Sequence, residues 1–582
     1  MALGLTPDPA RSPVQSLRKE AAMPDQSFAT HEVTNQSPSF EDVNLFLSDA
    51  ALREAVEREG GGAEAQDLAA FGAATGSARG FEIGRLANEN LPKLHRFDQK
   101  GFPADRIEFH PAYHEAMTMS CAAGLHCSPW EHLKDGGGGP PPGAHVARLA
   151  RLYMMTQMEP GHVCPITMTN AAVPTLLLQA DLAEPLLPKM LSRRYDPAFK
   201  PIAEKGGATI GMGMTEKQGG TDVRANTTIA RPAGGGGPGA EYILVGHKWF
   251  LSAPMCDAFL MLAQAPGGLS CFLVPRFLPH GSVNPLRLQR LKEKLGNRSN
   301  ASSEVELQGV HGWLVGEEGR GIATIIEMVT MTRLDCAVAS AGQMRLALAQ
   351  AVRHCRHRSV FQKRLVDQPL MTQVLADMAL DVEAATALAF RLARSFDEAA
   401  QSDAAAAWRR LMTPVTKYWV CKIAPALGYE AMECLGGNGY VEEGLAARLY
   451  RELPLNAIWE GSGNVMCLDV LRVLSQDSAA AAMVLEELDG AGAGDKALVS
   501  AIRDLRARLA DPQGLEAGAR WFVERLAVTA AAAILRRHAP AAVADAFVAS
   551  RLAGGFRHTY GCGAAHAGSR AIVDRAMPAE GG

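Results

Sequence analysis

A chain of 582 residues exceeds one ordinary hydrophobic core, so roughly two to four domains are expected. Its 47% apolar and 21% charged residues describe an ordinary globular protein, and a net charge of -4 excludes the global basic excess that attracts nucleic acid. Eleven irregularly spaced cysteines argue against a disulfide framework and favour a reducing cytoplasm.

The first 38 residues are rich in Pro, Ser, Gln and Ala and are expected to form a disordered N-terminal extension without the apolar core of a secretory signal. The longest apolar run, residues 526–535, is about half as long as a membrane span, so no membrane association is expected. His354, Cys355 and His357 lie close together, but no second ligand pair follows at zinc spacing. We therefore expect no metal site.

An N-terminal helical domain is predicted over residues 39–203. Apolar side chains recur there at helical spacing in two stretches, namely Leu45, Leu47, Leu52 and Val56, and Leu149, Leu152, Met155 and Met158. The pattern is helical from about residue 44 to residue 194. A run of glycines and prolines between Asp135 and Gly143 interrupts it and predicts an exposed loop.

A compact β domain is predicted next, over residues 204–315. Short apolar segments separated by glycine and proline indicate its strands, at residues 241–246, 258–263 and 270–275. Helical spacing returns afterwards and predicts a helical bundle over residues 316–475 and an additional helical domain over residues 476–582. Because strands and helices do not alternate, a doubly wound parallel sheet is unfavourable. The predicted fold is mainly α-helical with one central β domain.

Two motifs in the β domain could contact a ligand. Residues 210–223 (IGMGMTEKQGGTDV) combine a strand with a glycine-rich turn, in which Thr215 and Thr221 can donate hydrogen bonds to flavin or phosphate oxygens. The alternative is a polar turn with no ligand. Residues 246–252 (GHKWFLS) place aromatic and hydroxyl side chains on a predicted strand, where aromatic rings more often serve core packing.

Five segments together resemble the acyl-CoA dehydrogenase superfamily, and they are closest to its AidB-type branch. These are residues 210–223, 246–252, 358–361 (RSVF), 436–440 (GGNGY) and 450–464 (YRELPLNAIWEGSGN). The resemblance implies an acyl-CoA dehydrogenase-like fold: an N-terminal helical domain, a small β-barrel domain and a C-terminal four-helix bundle, here followed by an extra helical domain. It also implies FAD as the cofactor and an acyl-CoA thioester as the substrate.

The resemblance assigns roles around the flavin. Phe250 would cover the isoalloxazine and Ser252 would reach flavin N5. Trp249 is one residue off this register and would face the other side of the strand. Further FAD contacts implied by the resemblance are Met214, Thr215, Gly220, Thr221, Gly437, Ile458, Trp459, Ser462 and Asn464.

A second part of the cofactor site is implied between subunits. Arg358, with Phe361 and Gln368, resembles the family's arginine–aromatic pair that reaches the FAD pyrophosphate of a neighbouring subunit. The guanidinium fork suits phosphate, and the family analogy implies a homotetramer. The alternative is an exposed arginine at a helix end.

Glu460 stands where the resemblance places the base that removes the α-proton of the thioester. Burial beside an apolar ligand raises the pKa of a carboxylate toward the useful range, and the developing enolate needs hydrogen-bond donors such as the backbone amide at this position. Some family members carry the base on an earlier helix, before an arginine. The corresponding residue here is Thr332, before Arg333, and it cannot act as a base. The alternative for Glu460 is a surface glutamate at a turn.

The additional domain is locally basic, with twelve Lys and Arg against seven Asp and Glu from Lys496 onward. The AidB-type resemblance implies non-specific double-stranded DNA binding and a role in the response to alkylation damage, with Arg536 and Arg537 as candidate contacts. A solvated helix face or an oligomer contact is the alternative. Three functions stay open: an acyl-CoA dehydrogenase for short or branched chains, a DNA-associated flavoprotein with weak dehydrogenase activity, and an acyl-CoA oxidase.

Overall fold

The structure is a computed structural model that describes residues 28–137, 139–510, 514–554, 560 and 568–577. Residues 1–27 of the predicted extension lie outside the described residues. Near its end, the side-chain amide of Asn35 donates to the carbonyl of Ser359 at 2.8 Å and accepts from the Ser359 amide at 2.7 Å. The prediction of a disordered extension up to residue 38 is therefore wrong at Asn35, because these hydrogen bonds attach it to the helical bundle.

The N-terminal domain is helical, as predicted, but it also contains a β-hairpin. Its helices are α1 (Ala50–Arg58), α2 (Ala65–Thr75), α3 (Ala78–Glu89), α4 (Pro111–Ala122), α5 (Ala144–Met158), α6 (Val163–Leu176), α7 (Ala180–Ala183) and α8 (Leu187–Met190). Strands β1 (Lys93–Phe97) and β2 (Pro103–Glu108) pair antiparallel between α3 and α4. The expectation of a helical pattern throughout this region is wrong here, because most hairpin side chains are exposed and leave little apolar periodicity. Leu94 and Ile107 of the hairpin pack against the β-domain core.

The central domain is a small β-barrel. Its strands are β3 (Ile210–Gly213), β4 (Ile229–Pro232), β5 (Glu241–Ser252), β6 (Ala258–Ala265), β7 (Gly268–Pro275), β8 (Leu286–Leu291) and β9 (Ser302–Val315). The seven-stranded sheet has the order β3-β6-β4-β5-β9-β7, with β8 paired to β9. A further pairing of β6 with β7 closes the sheet on itself. Strand β6 is buried along almost its whole length, as its continuous apolar sequence predicts.

Long helices follow the barrel. The bundle contains α9 (Gly321–His357), the short hairpin β10 (Ser359–Val360) and β11 (Lys363–Arg364), α10 (Pro369–Glu398), α11 (Asp403–Cys434), α12 (Leu445–Glu452) and α13 (Gly463–Gln476). The additional helices are α14 (Ser478–Gly492), α15 (Lys496–Ala510), α16 (Ala519–His538), α17 (Ala541–Phe547) and α18 (Ser569–Ala576). One hydrophobic cluster runs from Leu45 to Met577, so these helices share a core with the bundle. The order of helices, barrel and helices confirms the predicted fold class.

A buried ion pair joins the N-terminal domain to the bundle. Both terminal nitrogens of Arg148, on α5, donate to the carboxylate of Asp335, on α9, at 2.7 and 2.6 Å. Arg148 is 1% exposed. A bidentate pair of this kind sets both distance and orientation between the two helices. It therefore determines where the neighbouring part of α9, including Thr332, lies.

Candidate active site

Glu460 lies in the turn between a 3-10 helix (Leu455–Ala457) and α13. Its backbone is left-handed, with φ 57°. The hydroxyl of Thr332 donates to a carboxylate oxygen of Glu460 at 2.8 Å. Nε of Arg333 donates to the Glu460 carbonyl at 3.0 Å. The structure thus brings the predicted base into contact with both residues of the alternative base position on α9.

The electrostatic environment of Glu460 differs from that of a solvated surface glutamate. Burial raises the pKa of its carboxyl group, while the hydrogen bond from Thr332 and the charges of Arg333 and Lys417 lower it; the net direction is upward. A raised pKa makes a carboxylate a stronger base. This arrangement can therefore hold a carboxylate that accepts a proton from a bound ligand.

Lys417, on α11, contacts the same turn and was missed by reasoning from the sequence. Its ammonium donates to the Trp459 carbonyl at 2.7 Å and to the Gly461 carbonyl. Only 1% of Lys417 is exposed. The indole N–H of Trp459 in turn donates to Asn456 at 2.8 Å. A lysine within a helical pattern usually lies on a solvated face, so no local signal indicated this contact.

The two predicted flavin motifs of the barrel are joined to each other. Lys248, in the second motif, donates to Glu216, in the first, at 2.7 Å, and both side chains are fully buried. The Trp249 amide also donates to the Thr215 carbonyl at 2.8 Å. Met214 and Trp459 pack against the same barrel core, so the first motif and the Glu460 turn both contact that core.

Strand β5 has a β-bulge in the second motif. Its pairing with β9 shifts between Lys248 and Leu251, so that both of these residues are buried. Trp249 and Phe250 lie between them, and the Lys292 ammonium is 3.2 Å from the Trp249 ring centroid and 4.6 Å from that of Phe250. The expectation that Trp249 faces away from Phe250 is therefore wrong, because a bulge interrupts the alternation of a regular strand.

Cys164, on α6, links the barrel to the Glu460 turn. Burial raises the pKa of its thiol to about 12; Lys294 lowers this pKa, Glu460 raises it, and the neighbouring polar side chains of Ser252 and Asn300 lower it. The thiol therefore lies among these groups. Ser252 is half-buried, and its hydroxyl is 3.2 Å from that of Ser302. Spacing in the sequence did not connect α6 with either motif.

A second group of predicted cofactor residues lies at the opposite end of α9. Thr332 and His357 are separated on this helix by 25 positions (357 − 332), or about 38 Å. Arg358 donates to the Asn35 carbonyl at 2.7 Å, the Gln368 amide donates to the Val360 carbonyl at 3.1 Å, and Phe361 is 93% exposed.

The glycine turn that contains Gly437 belongs to this second group. It begins just after α11 ends at Cys434. A hydrogen bond with Cys355, near the end of α9, raises the pKa of Cys434, so these two helix ends are adjacent. Within one chain, Arg358 and Gly437 are thus brought near each other but not near Glu460.

The start of α13 contacts the additional helices. Nε of Arg520, on α16, donates to the side-chain carbonyl of Asn464 at 2.8 Å. Ser462 and Asn464 are exposed, and so is Ile458 on the other side of Glu460. The additional helices therefore reach the segment for which cofactor contacts are predicted.

The residues around the barrel motifs suit FAD. Phe250 is 47% exposed and presents an apolar ring surface, and Thr215, Thr221 and Ser252 offer accessible hydroxyl donors. A Cβ at Gly220 would lie 2.7 Å from the Thr215 hydroxyl oxygen, so a larger residue there would displace this hydroxyl. This donor set can bind a flavin ring and phosphate oxygens.

The predicted DNA contacts differ from each other. Arg536 donates to Asp545 and, at 2.6 Å, to Asp495, so its charge is balanced within the chain. Arg537 is exposed. The basic face is smaller than the count of arginines predicts, because Arg506 also pairs with an acidic neighbour, Asp489.

Among the described helices, none is both long and apolar enough to span a membrane. The described side chains include no group of three or more His, Cys, Asp and Glu that could hold a metal ion.

Three stretches of the chain match known families. Residues 35–197 match the adaptive response protein AidB N-terminal domain, residues 211–310 the acyl-CoA dehydrogenase middle domain, and residues 319–475 the acyl-CoA dehydrogenase C-terminal domain. The chain is 50% identical over 485 residues to AidB of Escherichia coli (strain K12), which covers 83% of this chain and 87% of the relative. It is 33% identical over 435 residues to acyl-CoA dehydrogenase family member 11 of Caenorhabditis elegans, and this match covers 71% of this chain and 67% of that relative.

Solved structures agree with these matches. Caenorhabditis elegans ACDH-11 in complex with C11-CoA superposes with a TM-score of 0.79 at 27% identity, covering 95% of this chain and 94% of that one. The apo form of Bd2924 superposes with a TM-score of 0.78 at 26% identity, and this match covers 87% of this chain and 99% of that one. The barrel, the bundle and the additional helices are thus all found in known relatives. The chain belongs to the acyl-CoA dehydrogenase family and carries the AidB N-terminal domain.

Proposed function

We propose that this chain is an FAD-dependent acyl-CoA dehydrogenase of the AidB type, which acts on a short or branched acyl-CoA with Glu460 as the base. The environment of Glu460 carries this proposal: its carboxylate has a pKa raised by burial and accepts a hydrogen bond from Thr332 at 2.8 Å. The relative solved with C11-CoA supports a CoA thioester as the substrate class.

The residues of the chain would bind, orient and deprotonate the thioester. Glu460 accepts the α-proton at its carboxylate, and its backbone amide donates to the thioester oxygen as enolate charge develops. Ile458 and Trp459, on the same turn, supply apolar walls that exclude water. FAD, when bound, supplies the acceptor for the β-hydrogen.

The test is an anaerobic titration of the purified yellow protein with acyl-CoAs of different chain lengths and branching, followed by the absorbance of oxidised flavin. We expect bleaching by at least one thioester. Glu460→Gln should retain FAD and slow bleaching by about 100- to 10,000-fold, because an amide cannot accept the proton. A colourless protein, or equal bleaching of Glu460→Gln, would contradict the proposal. Peroxide release in air would assign an acyl-CoA oxidase.

Non-specific binding of double-stranded DNA, with a role in the alkylation response, is a second candidate function. The exposed Arg537 in the locally basic C-terminal region favours it. In a salt-dependent binding assay, Arg537→Ala should weaken binding and lower the salt slope by about one. Arg536→Ala should change binding less, because two carboxylates already hold that guanidinium. Unchanged binding by Arg537→Ala would remove it from the DNA site.

A further inference from the structure

Two buried cations bind three consecutive carbonyl groups around Glu460. Lys417 donates to the carbonyls of Trp459, at 2.7 Å, and Gly461, while Arg333 donates to the carbonyl of Glu460 itself at 3.0 Å. Lys417 lies on α11 and Arg333 on α9, so the turn is held from two separate helices.

The turn needs such support because its backbone is unfavourable. A φ of 57° at Glu460 lies in the left-handed region, where the Cβ of any residue other than glycine crowds the following carbonyl. Such conformations persist when the surroundings over-determine them, and they concentrate at functional sites. Here the hydrogen bonds from Lys417 and Arg333 hold the backbone of Glu460 in this conformation.

The charges of the two cations are compensated differently. Arg333 donates to the carboxylate of Asp469 at 2.8 Å. Within the described ranges, Lys417 has no carboxylate at ion-pair distance. The thiols of Cys336 and Cys421 lie beside Lys417, and burial raises the pKa of both, so they stay neutral. The positive charge of Lys417 also lowers the pKa of Glu460.

We propose that Lys417 is the main positioning residue for the base, with Arg333 as its partner: together they hold the backbone of residues 459–461 so that the Glu460 carboxylate faces the bound thioester. This inference rests on the proposed dehydrogenase function. Lys417 has two effects, since its hydrogen bonds determine the direction of the carboxylate and its charge stabilises the ionised form.

The test uses the full-length protein with FAD bound and three variants of Lys417. Lys417→Met should slow flavin reduction by about 10- to 100-fold while thioester affinity changes less than about threefold, because misplacement of the base affects chemistry more than binding. The acid limb of the pH–rate profile should move to higher pH, since loss of the positive charge raises the pKa of Glu460. Lys417→Arg should keep most of the wild-type rate and should leave the acid limb near its wild-type position. Lys417→Gln, which keeps a neutral hydrogen-bond donor, should give a rate between those of the wild-type protein and Lys417→Met. Its acid limb should still be displaced to higher pH.

Amide hydrogen exchange provides a readout that does not depend on activity. In Lys417→Met, exchange in a peptide covering residues 455–466 should increase by about tenfold or more, with little change elsewhere. Lys496→Met, an exposed lysine on α15, is the matched control and should leave both rate and exchange unchanged.

The outcomes separate the two proposals. The positioning role would be overturned if Lys417→Met kept the wild-type rate, the wild-type position of the acid limb and wild-type hydrogen exchange. It would also be overturned if Lys417→Met and Lys417→Arg lost the same share of the rate and the acid limb did not move. If Lys417→Met does not fold, the Gln and Arg variants decide by the same criteria. Failure of every thioester to reduce the wild-type protein would overturn the dehydrogenase function, while hydrogen exchange would still test the contacts of Lys417.

Discussion

The hydroxyl of Thr332, at the position where the family resemblance places an alternative base, donates to the carboxylate of Glu460, the proposed base. Its bond to Glu460 at 2.8 Å stabilises the ionised carboxylate and so opposes the effect of burial on the pKa. A carboxylate at residue 332 would meet Glu460 at the same distance, and two like charges so close cannot both ionise readily. Two bases at these positions would therefore oppose each other's ionisation, and Glu460 is the one that we propose.

Substitution Thr332→Val tests this interaction at nearly constant shape. Loss of the donor should raise the pKa of Glu460 further, because the charged form loses a hydrogen bond. Glu460 then stays protonated to higher pH, so the acid limb of flavin reduction should move to higher pH. Stopped-flow measurement of the rate of flavin reduction at a series of pH values gives the position of this limb. Thr330→Val, whose hydroxyl bonds only to the Ile326 carbonyl of its own helix, is the control. A limb that stays in place or moves to lower pH would contradict the prediction.

At the scale of elements, a buried ion pair connects the turn after β3 with strand β5. Glu216 accepts from Lys248 at 2.7 Å and from the amides of Thr227 and Thr228 at 2.7 and 3.2 Å. Burial raises the pKa of Glu216, but Lys248 and these donors lower it more, to about 2. The pair thus keeps the two flavin motifs in one arrangement.

Lys248→Met should lower the free energy of unfolding by about 3–5 kcal/mol, since a buried carboxylate loses its partner. The folded pKa of Glu216 lies below its ordinary value of 4.5, so its contribution is present above pH 4.5 and is lost as pH falls toward 2. Lys248→Met should weaken this acid dependence and the retention of FAD. Urea unfolding between about pH 3 and about pH 7 measures the free energy of unfolding and its acid dependence, and the flavin-to-protein absorbance ratio measures the retention of FAD.

The matched control is an exposed pair. Arg85 bonds to Glu82 on the surface of α3 at 2.8 Å. Arg85→Met should change the free energy of unfolding much less than Lys248→Met does, because water screens exposed charges. Equal effects of Arg85→Met and Lys248→Met would show that burial of the pair does not matter.

For the whole molecule, the exposed surface at the far end of α9 suggests assembly. Phe361, Leu370 and Tyr440 are 93%, 85% and 82% exposed. Large apolar side chains in such numbers favour contact with another protein surface. Arg358 lies beside Phe361 and far from Glu460 in its own chain, so a second copy would allow it to meet the cofactor of a neighbour. We therefore propose a homo-oligomer, a tetramer by analogy with the family, in which FAD is bound between subunits.

Phe361→Asp should lower the oligomeric state and the fraction of bound FAD, because a charge replaces an apolar contact. Light scattering after gel filtration and the flavin-to-protein absorbance ratio measure these changes. Phe97→Asp, at an exposed position on the β1–β2 hairpin, should leave both unchanged. An unaltered assembly with full FAD content in Phe361→Asp would place the subunit contact elsewhere.

Much of the candidate site could be predicted because its signals are local. Short motifs contain the glycines at the turn after β3, the hydroxyls of Thr215 and Ser252, and the glutamate in the segment before α13. The hairpin β1–β2 and the bulge in β5 escaped prediction, since exposed strands leave weak periodicity and a bulge depends on the partner strand β9. The pairing of Arg536, one of the two DNA candidates, also depended on a residue distant in sequence, Asp495.

The amino-acid sequence by itself determined the order of helical domain, central β domain and helical bundle, the family and the position of Glu460, because periodicity and short motifs act over a few residues. The tertiary structure alone decided what surrounds that glutamate. Lys417 is 43 positions away (460 − 417) on another helix, and Cys164 comes from the N-terminal domain. Contacts between helices follow from how their buried faces pack, and that geometry has no signature in the residues adjacent to either partner.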